Sequence, residues 1–244
     1  MKESNLDKYK FIDIVLPSFE EHETVSLCVR RIIEVVGAQH SDFRIIAVID
    51  GPDSKAVDAL NALQSESLVV VELERNYGKG YALMQGITLS NSKYVAFLDA
   101  DMDIHPRTIN SGVKMLEAKS TLDATYGSKM HPDSNVNYPI IRRWMSWMFR
   151  VFTRYFINID VNDTQTGVKV FRSSSLKKVS NQAFERGYLF DLEILMLMSD
   201  NGSEFEPLPI DLNFQFNSSI KPLSAFRMIV QLVALRRRVS QRDK

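Results

Sequence analysis

The first hundred residues alternate between short apolar runs and segments of helical periodicity, and that alternation limits the folds open to the chain. Residues 11–16 (FIDIVL), 43–49 (FRIIAVI), 68–73 (LVVVEL) and 94–98 (YVAFL) read as buried strands. Between them, residues 20–36 carry apolar side chains at helical spacing and stop at Gly37. Residues 54–63 read as a short helix with Ser54 as N-cap, and residues 79–89 as a third helix. Strands and helices in strict succession need crossover connections, which predicts an α/β domain with a mostly parallel central sheet flanked by helices. The 244 residues contain no repeat, low-complexity tract or interdomain linker, so a single domain over 1–244 is expected.

Sheets of this kind bind ligands beyond the carboxyl ends of their strands. Each predicted strand here ends in polar or punctuating residues: PSFE at 17–20, DGPD at 50–53, RNYGKG at 75–80 and DADMD at 99–103. No G-x-G-x-x-G follows the first strand, which disfavours a dinucleotide site. Asp99, Asp101 and Asp103 occupy alternate positions, and alternate side chains of an extended segment share a face. Oxygen-only ligands select a hard divalent cation, Mg²⁺ or Mn²⁺, which keeps several waters and binds a substrate diphosphate. The competing reading is an acidic turn that leads into the helix after Pro106. The glycines at 78 and 80 permit close backbone approach to a ligand, and Lys79 between them offers a cation.

A formal net charge of zero argues against bulk nucleic-acid binding. Cys28 is the sole cysteine, so no intrachain disulfide can form, which fits a reducing compartment. The polar N-terminus has no signal-peptide core, and no run of 18 apolar residues exists, so no transmembrane helix is expected.

The second half is aromatic and basic. In helical projection, Arg143, Arg150 and Arg154 of residues 142–156 share a stripe opposite Trp144, Met148, Phe152 and Phe156. Such a helix either packs its aromatic face on the core or lies at a membrane interface, where its arginines hold phosphate. A loop is expected over 128–140, and a polar loop at 163–167 precedes a short strand at 168–171. Asp191 and Glu193 open an apolar helix, where acids either favour the helix dipole or serve a ligand. Residues 222–239 read as a helix ending in Arg236, Arg237 and Arg238, an ordinary basic terminus or a contact for anionic lipid.

Taken in order, IVLPSFEE (14–21), VIDGPD (48–53), NYGKGYAL (76–83), FLDADMDIHP (97–106), DTQTGVKVF (163–171) and FDLEIL (190–195) resemble the motifs of family 2 glycosyltransferases. Within that family the chain looks most similar to the polyprenyl-phosphate sugar synthases, such as the dolichyl-phosphate glucose and mannose synthases. The resemblance implies the GT-A nucleotide-diphospho-sugar transferase fold. It divides the domain into a nucleotide-sugar half at about 9–127, an acceptor half at about 128–215 and a C-terminal amphipathic basic helix at about 222–240.

The resemblance also implies roles. Pro17, Phe19 and Glu20 match the segment lining the nucleoside pocket, Asp50 the acid that recognises the base, and Lys79 the lysine near base and ribose. Asp99 and Asp101 are the expected donor-binding acids, the metal is expected on Asp101 and Asp103 with Asp99 nearby, and Gln165 is the candidate sugar contact. Arg142 and Ser146 match residues used for an acceptor phosphate, with Arg143 beside them and Lys129 standing where relatives carry arginine. Asp191 and Glu193 are expected to orient sugar or acceptor, and Asp101, Asp191, Arg142 and Ser146 form the expected catalytic set. The chain departs from the family at Ile49-Asp50, where many relatives have two acids, and at Phe19, where they have tyrosine.

The expected activity is therefore an inverting, metal-dependent hexosyltransferase. UDP-glucose is the first donor and GDP-mannose the second, with a polyprenyl or dolichyl phosphate as acceptor at the cytoplasmic face of a membrane. A saccharide hydroxyl acceptor is the alternative, with Asp191 as base. Peripheral attachment leaves room for a membrane-anchoring subunit or a homo-oligomer.

Overall fold

The computed structural model describes residues 9–137, 163 and 166–213. The chain opens with β1 (Lys10–Ser18), α1 (Val25–Gly37), β2 (Phe43–Ile49), α2 (Ser54–Asn61), β3 (Leu68–Glu72), α3 (Lys79–Leu89) and β4 (Ser92–Leu98). It continues with α4 (Arg107–Ala118), β5 (Leu122–Ser128), β6 (Asn135–Asn137), β7 (Val168–Arg172), α5 (Ser173–Ser180), α6 (Phe190–Asp200), β8 (Glu204–Pro209) and β9 (Asp211–Asn213). The main sheet runs β3-β2-β1-β4-β7-β5-β8, and β6 pairs with β9 in a small second sheet.

The predicted mostly parallel sheet is present, with one inversion: β7 runs antiparallel to both β4 and β5. Leu98 at the end of β4 stands opposite Val168 at the start of β7. The chain segment just before β7 therefore arrives at the edge where β1, β2 and β4 end.

Packing explains the elements. α1 buries Val25, Cys28, Val29, Ile32 and Val36, the three-and-four spacing of one helical face. Its start lies later than periodicity indicated, because Glu20 adopts a left-handed conformation (φ 57°) that breaks any helix there. The N-cap of α2 is Asp53, whose side chain accepts from Ala56 N, rather than Ser54. The segment expected as a plain loop over 128–140 contains β6. α6 is buried on all sides from Phe190 through Met198, so its two acids, Asp191 and Glu193, are interior groups.

One buried ion pair lies at the other end of the sheet. Arg44 on β2 donates from Nε and Nη2 to both carboxylate oxygens of Asp13 on β1, at 2.9 and 2.8 Å, and neither side chain is exposed. Asn91 N also donates to Asp13, at 2.7 Å, tying the loop before β4 to the same carboxylate.

Candidate active site

The polar strand ends meet as the parallel order requires. Asp50, just beyond β2, is buried and accepts backbone N–H from Tyr77 at 2.7 Å and Gly78 at 2.8 Å. Both of its oxygens thus hold the loop that delivers Lys79. Gly78 sits at φ 103°, and a Cβ there would lie 2.4 Å from the Arg186 carbonyl oxygen, so both backbone and space call for glycine.

Lys79 opens α3 and points its ammonium at the acidic strand end, 2.6 Å from Asp99 Oδ1 and 3.7 Å from Asp191 Oδ2. Burial alone would lower its pKa, but Asp99 and Asp191 outweigh burial and raise it, so the cation is permanent. Asp191 accepts in addition from Lys169 Nζ at 3.0 Å. Its burial would raise the carboxyl's pKa, but Lys169 and Lys79 override that and hold it below the usual carboxylate range.

The segment before β7 closes the arrangement. Asp99 N donates to Gly167 O at 3.1 Å, and a Cβ on Gly167 would fall 2.3 Å from Asp99 Oδ2. Lys169 Nζ donates to Thr166 O at 2.7 Å. Asp163, also buried, accepts from Lys129 N at 2.9 Å, which fixes the end of β5 where Lys129 stands.

Asp101 accepts from Asp103 N at 3.0 Å, with Met102 between them at φ 65°. Burial, and then the charge of Asp99, raise the Asp101 carboxyl above its ordinary value. Glu21 feels the same field: burial first, then Asp101 and Asp99, push it up to about 8. Burial first, and then the charge of neighbouring aspartates, raise both carboxyls, and a bound cation would offset that charge. Among the described residues, no three Asp, Glu, His or Cys side chains converge closely enough to cage an ion unaided. The oxygen-only donor set suits a hard divalent cation that keeps its waters and completes its shell from a substrate diphosphate. Cys28 lies beneath, its thiol 3.9 Å from Asp99 O; burial, together with the nearby carboxylates, pushes its pKa up and leaves it unreactive.

The structure thus brings together Lys79, Asp99, Asp101 and Asp191, with Asp50 holding the loop before Lys79. Residues 99–103 form a turn rather than the extended segment expected, so Asp103 meets Asp101 through its backbone N–H and the three acids do not share one face. Pro17 is buried in β1, whereas Phe19 is 47% exposed and Glu20 is exposed beside it. Glu193 is buried and accepts from Phe184 N and Glu185 N at 2.9 and 2.8 Å, holding the loop before α6. Arg142, Arg143, Ser146, Gln165 and the helix at 222–240 lie outside the described residues. Sequence reasoning passed over Glu21 in favour of its neighbour, and it passed over Lys169. The available signal for Lys169 was a lysine flanked by Val168 and Val170 in the short strand read at 168–171.

Comparison with known proteins bears on this geometry. The family described as Glycosyl transferase family 2 matches residues 13–180. Dolichyl-phosphate beta-glucosyltransferase of Saccharomyces cerevisiae is 25% identical over 97% of this chain and 77% of its own length. Dodecaprenyl-phosphate galacturonate synthase of Rhizobium johnstonii is 27% identical over 69% of this chain and 49% of its own. Among solved structures, glucosyl-3-phosphoglycerate synthase from Mycobacterium tuberculosis, in complex with Mn²⁺, UDP-glucose and phosphoglyceric acid, superposes with a TM-score of 0.71. That match covers 93% of this chain and 79% of the other at 16% identity, and it establishes the GT-A fold. Among the described residues, no helix is long and apolar enough to cross a membrane.

Proposed function

Because the chain belongs to glycosyl transferase family 2, we propose that it moves a hexose, with inversion, from a nucleotide-diphospho-sugar to a polyprenyl or dolichyl phosphate. The observation that carries the acceptor class is the state of Asp191. A hydroxyl acceptor needs a general base to take its proton. Asp191, the carboxylate first considered for that task, is buried between Lys169 and Lys79 and acidified by them. A carboxylate so stabilised is a poor proton acceptor. A phosphate monoester asks for no such base, since its second pKa near 6 leaves it largely ionised at neutral pH. Two of the relatives carry polyprenyl phosphates in their names, which agrees with this acceptor.

A divalent cation, Mg²⁺ or Mn²⁺, would neutralise the diphosphate leaving group. Asp99 and Asp101 would hold it, flanked by Asp103 and Glu21. Lys79 would face the donor from the start of α3, with Asp50 fixing its loop. Pro17, Phe19 and Glu20 border the nucleoside, and Gln165 meets the sugar. Lys129, Arg142, Arg143 and Ser146 position the acceptor phosphate, so orientation and electrostatics supply most of the rate. UDP-glucose is the first donor and GDP-mannose the second. The enzyme works peripherally at the cytoplasmic face of a membrane.

The test is transfer by purified protein to a short polyprenyl phosphate from labelled UDP-glucose and GDP-mannose in parallel, with Mn²⁺ and with EDTA. Label entering the lipid phase from one donor, blocked by EDTA, is the expected result. Slow metal-dependent donor hydrolysis without lipid labelling would refute the lipid acceptor and move the reading to a saccharide hydroxyl.

A further inference from the structure

Lys169 lies in the apolar strand β7 with its side chain 1% exposed. A buried ammonium persists only when its charge is answered. Its Nζ donates to Asp191 Oδ1 at 3.0 Å and to Thr166 O at 2.7 Å. The other oxygen of Asp191 faces Lys79 Nζ at 3.7 Å, while Lys79 keeps its close contact, 2.6 Å, for Asp99. Charges therefore alternate from the interior to the sheet edge: Lys169, Asp191, Lys79, Asp99. Of the two carboxylates, Asp191 has 8% of its side chain exposed and Asp99 31%, so Asp191 has the greater need of a cation. Lys169 meets that need. With Lys169 gone, Lys79 is, among the described residues, the cation that remains paired with Asp191, and it would be drawn inward.

We propose that Lys169 is a positioning residue: by neutralising Asp191 from beneath, it leaves Lys79 on Asp99 at the sheet edge, available to a nucleoside diphosphate. What Lys79 does at that edge rests on the donor reading above; where Lys79 sits does not.

The proposal is tested by crystal structures of Lys169→Met, Lys169→Arg and the double variant Lys169→Met/Asp191→Asn, with calorimetric titration of each by UDP and by GDP in Mn²⁺. Neither probe carries the hexose to be transferred, so any role of Asp191 toward that hexose does not enter. In Lys169→Met, Lys79 is expected to leave Asp99 for Asp191. Affinity for whichever nucleotide the parent protein binds should then fall about tenfold, the loss of one charged hydrogen bond. Lys169→Arg should retain both contact and affinity. The double variant has no buried carboxylate to attract Lys79, so its affinity should return to within about twofold of the parent.

Lys79 remaining on Asp99 in Lys169→Met would overturn the proposal. So would a double variant as weak as the single one, since that is the signature of a merely structural lysine. If Lys169→Met does not fold, the double variant decides alone: Lys79 on Asp99 with affinity kept supports the proposal, and loss of either refutes it. If Lys79 moves as described but the parent protein binds neither UDP nor GDP, the positioning stands and the donor reading falls.

Discussion

Asp101 and Gly167 concentrate the chemistry of this protein into single atoms. Asp101 is raised by its burial and by Asp99, an energetic cost that a bound divalent cation would remove. Asp101→Ala is expected to abolish sugar transfer; near-normal turnover in that variant would sink the metal assignment. Gly167 has a different constraint, because the space where its Cβ would stand is occupied by the Asp99 carboxylate. Gly167→Ala must push Asp99 aside. Displacing a catalytic group by about 1 Å costs on the order of a hundredfold, so kcat/KM should drop by that much in steady-state assays.

At the scale of elements, β1 and β2 are pinned far from the site by Asp13 and Arg44. Removing one partner of a buried pair costs about 3–5 kcal/mol, because the other charge is left unanswered. Arg44→Met should lose about that much stability in urea unfolding, and Asp13→Leu/Arg44→Met should recover most of it. Equal losses in the single and double variants would show that the pair matters for shape rather than charge. β7 contributes in another way. Its antiparallel course carries Gly167 and Thr166 to the end of β4, which a parallel strand in the same place would not do.

The whole molecule should report its acidic cluster in the pH dependence of stability. Glu21 has a folded pKa of about 8 against 4.5 for the free group, so the metal-free native state keeps a proton that the unfolded chain has released. That stabilisation is complete below about pH 4.5 and is lost as pH rises through about 8. Asp191 has the opposite sign: its contribution is present above about pH 3.9 and is lost as pH falls below that. Between these limits, the melting temperature of the metal-free protein should decline with rising pH more steeply than that of Glu21→Gln. Mn²⁺ should raise it more at pH 8 than at pH 5. Parallel curves for the two proteins, or an equal Mn²⁺ effect at both pH values, would contradict the shared field of Glu21, Asp99 and Asp101.

Much of this was legible in the chain because it is local. The apolar run at 43–49 and the helix beginning at Lys79 stand where pattern and glycine punctuation put them. The acids at 50, 99, 101 and 103 follow strands whose parallel order sends their ends to one edge. The direction of β7 was not legible, since a buried strand has the same apolar pattern whichever way it runs. Nor was the choice between Glu20 and Glu21, which depends on one left-handed residue that turns the chain. The partners of Asp191 were hidden for the same kind of reason. Lys79, Lys169 and Asp191 are separated by 90 and 22 residues, differences of their own numbers, and only packing makes them neighbours. The sequence by itself determined the residue types, the strand and helix periods and the acidic strand ends, because those follow from nearest neighbours along the chain. Which carboxylate is ionised, which is protonated and which is locked between two lysines was decided by tertiary structure, because charge and desolvation act through space.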